Sequence, residues 1–440
     1  MRAWLHDTAG GLPATFWYLW SGLLINRAGA FAMLYLSLYL TEVRGADKAL
    51  AGVVVGTYGV GGVAGVLLGG VLADRWGRRA TLFWSHLAAA ALMVALAFTG
   101  SLVAIAVFAT LVGVAHSMPG PAFVAAIVDV VPVERRSRAF NLQFWAHNLG
   151  MAAASLLAGL VSQASFTALF LVDAAATLTT ALIIAWKVRE TLVRNDIPRT
   201  ATPSTKRRPG LHTALTDGTF LVFVGLTFVL ALLSAQTSTI MPLAMREDGL
   251  SPSAYGVVVA LGGALIVVGQ LFVPRLIDGY LKHRVLAVST GVMAVGFGAL
   301  AFADVLPFYL TAAVIWTIGS MLAAPPNAEI NAELAPPALR ARYQSVFYLV
   351  FPMAAFVAPA LGGVSLQYLG DWHWVITGGV GLLATGGHLL AGPARERKVA
   401  AIRRVTEGDP SPVTTDLSGK AAVLETVADT TGTVSNASNR

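Results

Sequence analysis

Residues 70–79 read GVLADRWGRR and join two apolar stretches that are each long enough to cross a bilayer as a helix. Gly77 gives the backbone the freedom for a tight turn, and Gly70 leaves room for a second helix to approach closely. Asp74 ends its helix at the negative pole of the helix dipole, where a carboxylate is unfavourable. It therefore needs a positive partner, either a neighbouring arginine or the N-terminus of a helix from the other half of the chain.

The composition is that of a membrane protein, because 56% of the 440 residues are hydrophobic and only 12% are charged. About a quarter of the residues of a soluble protein are charged. About 20 apolar residues cross a bilayer as a helix, and twelve stretches approach that length. They are residues 16–40, 50–73, 80–99, 102–127, 140–162, 166–186, 220–243, 255–273, 285–302, 308–328, 343–366 and 374–391. The sequence therefore predicts an all-α membrane protein with twelve transmembrane helices.

Lysines and arginines lie almost entirely in alternate breaks between these stretches. The exceptions among the 30 are Arg44, Lys48 and Arg246 in the other breaks, and Arg27 inside the first stretch. Because cytoplasmic loops carry the excess of positive charge, we expect both termini in the cytoplasm and the protein in the inner, or plasma, membrane. The basic run at 206–208 then lies beside lipid and is not a nucleic-acid site.

The chemistry-bearing residue types argue against an enzyme. Cysteine is absent, and His, Asp and Glu do not occur with metal-ligand spacing. The sequence contains neither a phosphate-binding loop nor a G-x-S-x-G motif. We therefore expect no catalytic residue, no metal and no cofactor.

An internal repeat divides the chain, since Gly52 matches Gly256 and Asp74 matches Asp278 at the same offset of 204 residues. Two six-helix halves inserted in the same direction are related by an axis along the membrane normal, and a binding site lies between them near the midplane. The predicted organisation is a first half at 1–187, a cytoplasmic linker at 188–218, a second half at 219–392 and a disordered cytoplasmic tail at 393–440.

With its twelve helices, its repeat and the loop at 70–79, the chain resembles the major facilitator superfamily, and within it the twelve-helix drug:proton antiporter branch. The residues that match the loop signature are Gly70, Leu72, Asp74, Arg75, Gly77, Arg78 and Arg79. The resemblance implies a major facilitator fold of two pseudo-symmetric halves. It also implies that Asp74 helps to lock an outward-open state through a conformational latch between the halves. The chain departs from the antiporter branch in the fourth stretch, where residues 111–117 contain no arginine.

Three polar residues inside the predicted helices need either a function or a partner. Arg27 lies about 16 Å into the first helix at 1.5 Å per residue. It either contacts substrate or takes part in coupling, or it pairs with Asp173 or a helix carbonyl. Asp173 either carries a proton or reaches the outer interface. His116 either relays a proton or packs as a neutral side chain.

By resemblance to the family, helices 1, 4, 7 and 10 line a cavity between the halves. The candidates for substrate binding or coupling are Asn26, Arg27, Tyr35, His116, Gln236, Trp316 and Asn327, together with Asp173 of helix 6. This mostly apolar set suits an amphipathic organic molecule. We therefore predict a monomeric secondary transporter that exports a drug-like small molecule in exchange for protons, and so gives drug resistance. The alternative is uptake or facilitated transport of an organic anion or metabolite.

Overall fold

The computed structural model describes residues 11–192, 212–270, 272–336 and 339–407. These ranges contain twelve helical spans that are long and apolar enough to cross a membrane, and they contain no strand. In chain order, spans 1–12 are Ala14–Glu42, Lys48–Arg75, Arg78–Phe98, Leu102–Val130, Arg138–Ala164, Phe166–Lys187, Gly218–Glu247, Pro252–Gly269, Lys282–Phe302, Leu306–Leu334, Arg342–Leu369 and Trp372–Ile402. The predicted all-α fold with twelve membrane helices is confirmed.

Span 1 and span 4 each consist of two consecutive helices. Span 1 consists of a first segment, Ala14–Ala28, and a second segment, Ala32–Glu42. Gly29 lies between them, and a Cβ there would come within 2.2 Å of the Cβ of Ala176 in span 6. Span 4 changes from one helix to the next at Pro119, because proline has no N–H to donate to the preceding turn.

Some helices extend beyond the membrane-length ranges or stop within them. They are Arg136–Ala164 in span 5, Lys282–Gly298 with a 3₁₀ turn at Ala299–Phe302 in span 9, Arg340–Leu369 in span 11 and Trp372–Glu407 in span 12. Short helices lie in the connections at Val133–Arg135, His212–Leu215 and Val273–Ile277.

The last helix corrects the prediction of a disordered tail from residue 393 onward, because residues 393–407 are helical. The guanidinium of Arg395 donates to the carbonyl oxygen of His388 at 2.8 Å. This hydrogen bond supports the helix on both sides of Pro393, which cannot itself donate to the preceding turn. Residues 408–440 of the predicted tail and 193–211 of the predicted linker lie outside the described residues.

The two halves meet chiefly through two pairs of spans, and the second segment of span 1 also packs on span 7. Span 2 packs along span 11, and span 5 packs along span 8. Within the halves, span 3 packs on span 6 and span 9 packs on span 12. Each pair has its counterpart six spans later, because the repeat builds the same helical arrangement twice.

Glycines bring the backbones of the inter-half pairs into contact. A Cβ on Gly52 would lie 2.2 Å from the carbonyl oxygen of Pro359, and a Cβ on Gly256 would lie 2.5 Å from that of Ser155. Gly52 and Gly256 are 204 residues apart, and so are Ser155 and Pro359. Small residues at helix crossings in membranes permit such close approach. Equivalent positions of the repeat therefore form both contacts.

The loops fall at two ends of the bundle that differ in charge. The basic end carries the loops that follow spans 2, 4, 8 and 10, which include residues 75–79, 135–138 and 340–342. The opposite end carries the loops that follow spans 1, 3, 5, 7, 9 and 11. Because each span runs the length of the bundle, the alternation of charge along the sequence becomes a difference between its two ends.

Candidate functional site

The loop between spans 2 and 3 turns at Gly77, whose φ of 107° suits glycine and few other residues. Arg78 follows it, and its guanidinium lies 3.5 Å from Asp74 Oδ1 and 3.0 Å from Asp129 Oδ2. It also donates to the carbonyl oxygen of Ala73 at 2.9 Å. In this structure the positive partner that Asp74 needs is therefore Arg78 of its own half.

The start of span 3 is capped by Glu190, which follows span 6. Its carboxylate accepts hydrogen bonds from the backbone N–H of Arg78 at 2.8 Å and of Arg79 at 3.2 Å. The first N–H groups of a helix have no partner within the helix, so this carboxylate satisfies two of them. Sequence reasoning missed Glu190, because its distance along the chain gives no sign that it reaches this loop.

The remaining residues of the loop are accessible. The side chain of Asp74 is 77% exposed, and Arg75, the last residue of span 2, is exposed as well. A Cβ on Gly70 would meet no heavy atom within 4 Å. Asp74 pairs within its own half, so a latch between Asp74 and the second half remains a prediction.

The second half repeats the ion pair of the first half. Lys282 lies 2.8 Å from Glu329 and 2.9 Å from Glu333. Lys282 follows Arg78 by 204 residues, and Glu333 follows Asp129 by 204 residues. Each half therefore ties the start of its third span to the end of its fourth span with its own charges.

Ion pairs at the opposite end cross from one half to the other. Arg246 of span 7 lies 2.5 Å from Glu42 of span 1, and Lys48 of span 2 pairs with Glu247 of span 7. The ion pairs of Arg78 and of the equivalent lysine at the basic end stay within a half. The described contacts thus belong to a state in which the halves are joined at the opposite end.

Asp217 fastens spans 7, 11 and 12 together at the basic end. It accepts from the N–H of Phe220 at 3.1 Å and from the hydroxyl of Tyr343 at 2.7 Å, and it pairs with Lys398. Burial by itself raises the pKa of Asp217, but the hydrogen bonds from Lys398 and Tyr343 outweigh burial and leave that pKa below its usual value.

Asp173 of span 6 lies against the break in span 1, and only 1% of the residue is exposed. Its Oδ2 accepts from the N–H of Ala32 at 3.2 Å, and its Oδ1 accepts from the hydroxyl of Thr177 at 3.3 Å. The amide of Asn26 donates to the same hydroxyl oxygen at 3.0 Å. Asp173 therefore caps the N-terminus of the second segment, where free N–H groups and the helix dipole favour an anion. Sequence reasoning missed Thr177, although it lies one helical turn after Asp173.

Arg27 lies in the last turn of the first segment, so its cation is at the negative pole of that helix dipole. Its Nε is buried and has no hydrogen-bond partner among the described residues. No ion pair forms between Arg27 and Asp173, which was one of the two structural alternatives. Its charge lies close enough to interact with several titratable side chains, among them Tyr58, His86, His116, His147 and Asp173. The first half thus contains a polar cluster around the break in span 1.

Two other candidates of the first half have different surroundings. The ring of His116 meets that of Tyr58 edge-on at 6.2 Å, and its buried Nε2 has no hydrogen-bond partner in the described ranges. The hydroxyl of Tyr35 donates to the carbonyl oxygen of Pro252 in span 8 at 3.0 Å, and its ring packs on Tyr255 at 5.3 Å. Tyr35 therefore joins the two halves, whereas His116 lies inside the first half.

The three candidates of the second half are more separate from one another. Trp316 stacks on Phe297 of span 9 at 5.1 Å, and Asn327 accepts from the hydroxyl of Thr227 in span 7 at 3.0 Å. The Oε1 of Gln236 is buried without a hydrogen-bond partner among the described residues. Hydrogen bonds connect Asn26 with Asp173 through Thr177. None of the described hydrogen bonds connects two of the three candidates in the second half. Within the described ranges, no group of three His, Cys, Asp or Glu could hold a metal ion.

A sequence model of the Major Facilitator Superfamily matches residues 19–328 and, in a second match, residues 225–428. The chain belongs to the Major Facilitator Superfamily. It is therefore a membrane transporter that crosses the plasma membrane several times, and it is not an enzyme. The resemblance carried by residues 70–79 is confirmed by this match.

Relatives of the same superfamily carry functionally different names. The chain is 29% identical to the uncharacterized MFS-type transporter YttB of Bacillus subtilis (strain 168), over 82% of this chain and 90% of that protein. It is 23% identical to a Na(+), Li(+), K(+)/H(+) antiporter of Planococcus maritimus, over 80% of this chain and 89% of that protein. It is also 23% identical to the multidrug resistance protein MdtH of Aeromonas salmonicida (strain A449), over 83% of this chain and 92% of that protein.

Proposed function

We propose that this transporter exports an amphipathic organic molecule from the cytoplasm by alternating access, in exchange for protons that enter. The observation that carries the proposal is the unequal joining of the halves. Charged contacts cross between the halves at the opposite end, while the ion pairs of Arg78 and Lys282 at the basic end stay within a half. A carrier that works by alternating access must have a state in which the halves are joined at one end and a second state in which they are joined at the other end.

The orientation that the basic residues favour supports a state from which an exporter can take up its substrate. If the basic end is cytoplasmic, the halves in this structure are joined on the outer side. Both termini are then in the cytoplasm, and substrate enters from that side before export. The names of the multidrug and cation/proton relatives support export and proton exchange, respectively.

The loop at 70–79 supplies the contact needed for the reverse state. Asp74 is exposed at the basic end and held only at 3.5 Å by Arg78, so it is free to face the second half when the basic end closes. The positive N-terminal pole of a helix there would attract its carboxylate. Gly70 leaves space on the same helix for that approach. We propose this contact as the latch of the outward-open state of a monomeric carrier, with Arg75, Gly77 and Arg78 shaping the loop.

One observation favours a second candidate, uptake or facilitated transport of an organic anion. Arg27 places a cation about halfway across the membrane, and its buried Nε has no hydrogen-bond partner among the described residues. A carboxylate or phosphate on the substrate would complete its hydrogen bonds.

The test of export measures accumulation of a panel of drugs and dyes in cells that express the wild type, with and without a protonophore. We expect the wild type to lower accumulation and the protonophore to remove that effect. Asp74→Asn should remove it as well at equal expression. Asp278→Asn is the matched control, since it makes the same change 204 residues later. Raised accumulation in wild-type cells would contradict export and favour the uptake of an organic anion.

A further inference from the structure

The second segment of span 1 begins without an acceptor of its own. Phe31 occupies its N-cap position and makes no side-chain cap hydrogen bond. Ala32, the first residue of the segment, instead donates its N–H to Asp173 of span 6 at 3.2 Å. The carboxylate that starts this helix therefore comes from 141 residues further along the chain.

The same segment carries contacts that join the halves at the opposite end. Its Tyr35 donates to the carbonyl oxygen of Pro252 at 3.0 Å, and its Glu42 lies 2.5 Å from Arg246. The segment has only 11 residues and is one continuous helix. We call these contacts the seal; they lie on the same helix as the N-terminus that Asp173 caps, so the helix can transmit a change at that N-terminus to the seal.

We infer that Asp173 is the proton-binding site of the cycle, and that proton binding there releases the second segment of span 1 and with it the seal at the opposite end. The inference rests on the proposed function, which requires a coupled proton, and it names the group that takes it. The proton adds to Oδ2 of the carboxylate. The bond from the N–H of Ala32 then loses its anionic acceptor.

The physical basis is the difference between a charged and a neutral cap. An ionised carboxylate accepts a charge-assisted hydrogen bond and is favoured by the positive pole of the helix dipole, whereas a neutral carboxyl loses most of both effects. Loss of an N-cap acceptor shifts an equilibrium by about twofold to thirtyfold. A shift of that size changes the balance between two states of a carrier that differ by a few RT.

The charged and titratable groups around Asp173 permit such a role. Arg27 of span 1 and Tyr58 of span 2 are among the charged and titratable groups that lie close enough to interact with Asp173. His86 of span 3, the span that packs most closely on span 6, is engaged by the carbonyl oxygen of Leu82 at 2.6 Å. Among the described residues the carboxylate has no ion-pair partner, so a proton can neutralise it without breaking an ion pair.

The hydrogen bonds also connect this site with a less buried surface. Thr177 donates to Asp173 at 3.3 Å and accepts from Asn26 at 3.0 Å. Asn26 is partly exposed, unlike Asp173. Polar groups therefore extend from the carboxylate toward the first segment of span 1, where solvent can reach it as the halves move.

The test measures the opposite end directly by electron paramagnetic resonance. The chain has no cysteine, so spin labels on Ser101→Cys and Val305→Cys, exposed positions that precede spans 4 and 10, report one distance between the halves. We expect wild-type protein to gain longer distances as the pH is lowered from about 8 to about 5, because protonation removes the charge of the carboxylate. Asp173→Asn keeps an acceptor but cannot titrate, so its distances should not respond to pH.

Thr177→Val is the matched control, because it removes a hydrogen bond to the same carboxylate and leaves the titratable group, and an equilibrium distance does not depend on the route by which the proton arrives. It should keep the pH response, and Asp173→Glu should restore part of it. A full response in Asp173→Asn would overturn the inference. So would the absence of any response in the wild type, a result that needs no variant to fold.

Transport measurements on the wild type and on Asp173→Asn distinguish a failure of this inference from a failure of the proposed function. If wild-type export depends on protons and Asp173→Asn export still does, the function stands and the proton binds elsewhere. If Asp173→Asn exchanges substrate between the two sides without regard to pH while wild-type export requires protons, both stand. If wild-type export ignores the protonophore, the proposed coupling itself fails.

Discussion

Replacing Gly52 by alanine should weaken the contact between spans 2 and 11 and shift the carrier away from the state described here. The added Cβ would lie 2.2 Å from the carbonyl oxygen of Pro359 and 3.0 Å from the Cα of Gly363, whereas ordinary contact begins at 3.4 Å. The two atoms that the new Cβ would meet belong to the backbone, so no change of side-chain rotamer relieves the overlap. The two helices must separate by about 1.2 Å at this crossing.

The magnitude follows from the cost of overpacking. Extra carbon in a well-packed interface costs about 1–3 kcal/mol, which corresponds to a shift of about fivefold to 150-fold in a two-state equilibrium. Alanine also favours the helix itself by about 1 kcal/mol relative to glycine. Because the helical preference is the same in both states, it changes folding stability but not the balance between the states.

The assay uses the same spin-label pair on Ser101 and Val305, at one fixed pH. We expect Gly52→Ala to move population from the short to the long distance. Gly225→Ala in span 7 is the matched control, because a Cβ there meets no atom within 4 Å. Gly225→Ala should leave the distance distribution unchanged. If Gly52→Ala also leaves it unchanged, the glycine contact does not hold the halves together and the reasoning is refuted.

Three further predictions concern the basic end and the last helix. Because the pKa of Asp217 is lower in the folded chain than in the unfolded chain, its stabilisation is complete above the unfolded pKa and is lost as the pH falls through the folded pKa. Asp217→Asn should therefore lower the free energy of unfolding at neutral pH by about 1–3 kcal/mol, and the thermal midpoint with it. The difference in stability from the wild type should shrink in acid. A difference that does not depend on pH would contradict the role of Lys398. Asp74→Asn should change thermal stability by less than about 0.5 kcal/mol, since the side chain of Asp74 is 77% exposed and lies 3.5 Å from Arg78, while export is lost; an unfolded variant would remove the evidence for a latch. Arg395→Met should lower the thermal midpoint, because it removes the hydrogen bond from this buried guanidinium to the carbonyl oxygen of His388, which supports the helix on both sides of Pro393; an unchanged midpoint would show that the helix does not need this hydrogen bond.

Much of the fold could be predicted from the sequence because the bilayer makes it a local property. A helix must satisfy its own backbone and bury about 20 apolar residues, so the number of spans is visible without any tertiary contact. The offset of 204 residues likewise predicted that Gly52 and Gly256 occupy equivalent places, and both meet the backbone of the other half. The tail was mispredicted beyond residue 393 because the hydrogen bond made by Arg395 cannot be seen in the composition.

The site was predictable only in part. Sequence alone singled out Asp74, Arg27 and Asp173, because a charge at a helix end or inside a span has to be compensated. Which group compensates it depends on how the helices pack. Arg78, a near neighbour in sequence, holds Asp74, and this was one of two open possibilities. Asp173, in contrast, holds no cation and caps a helix instead.

The sequence by itself determined twelve spans, two equivalent halves, a basic end and a loop of the major facilitator type. These features depend on residue types and on spacings within one helix or one repeat. Only the tertiary structure decided that Glu42 and Arg246 join the halves at the opposite end, and that Asp173 starts the segment that carries Glu42. Such contacts join residues more than a hundred positions apart, and their existence depends on the state of the halves, which a linear sequence does not specify.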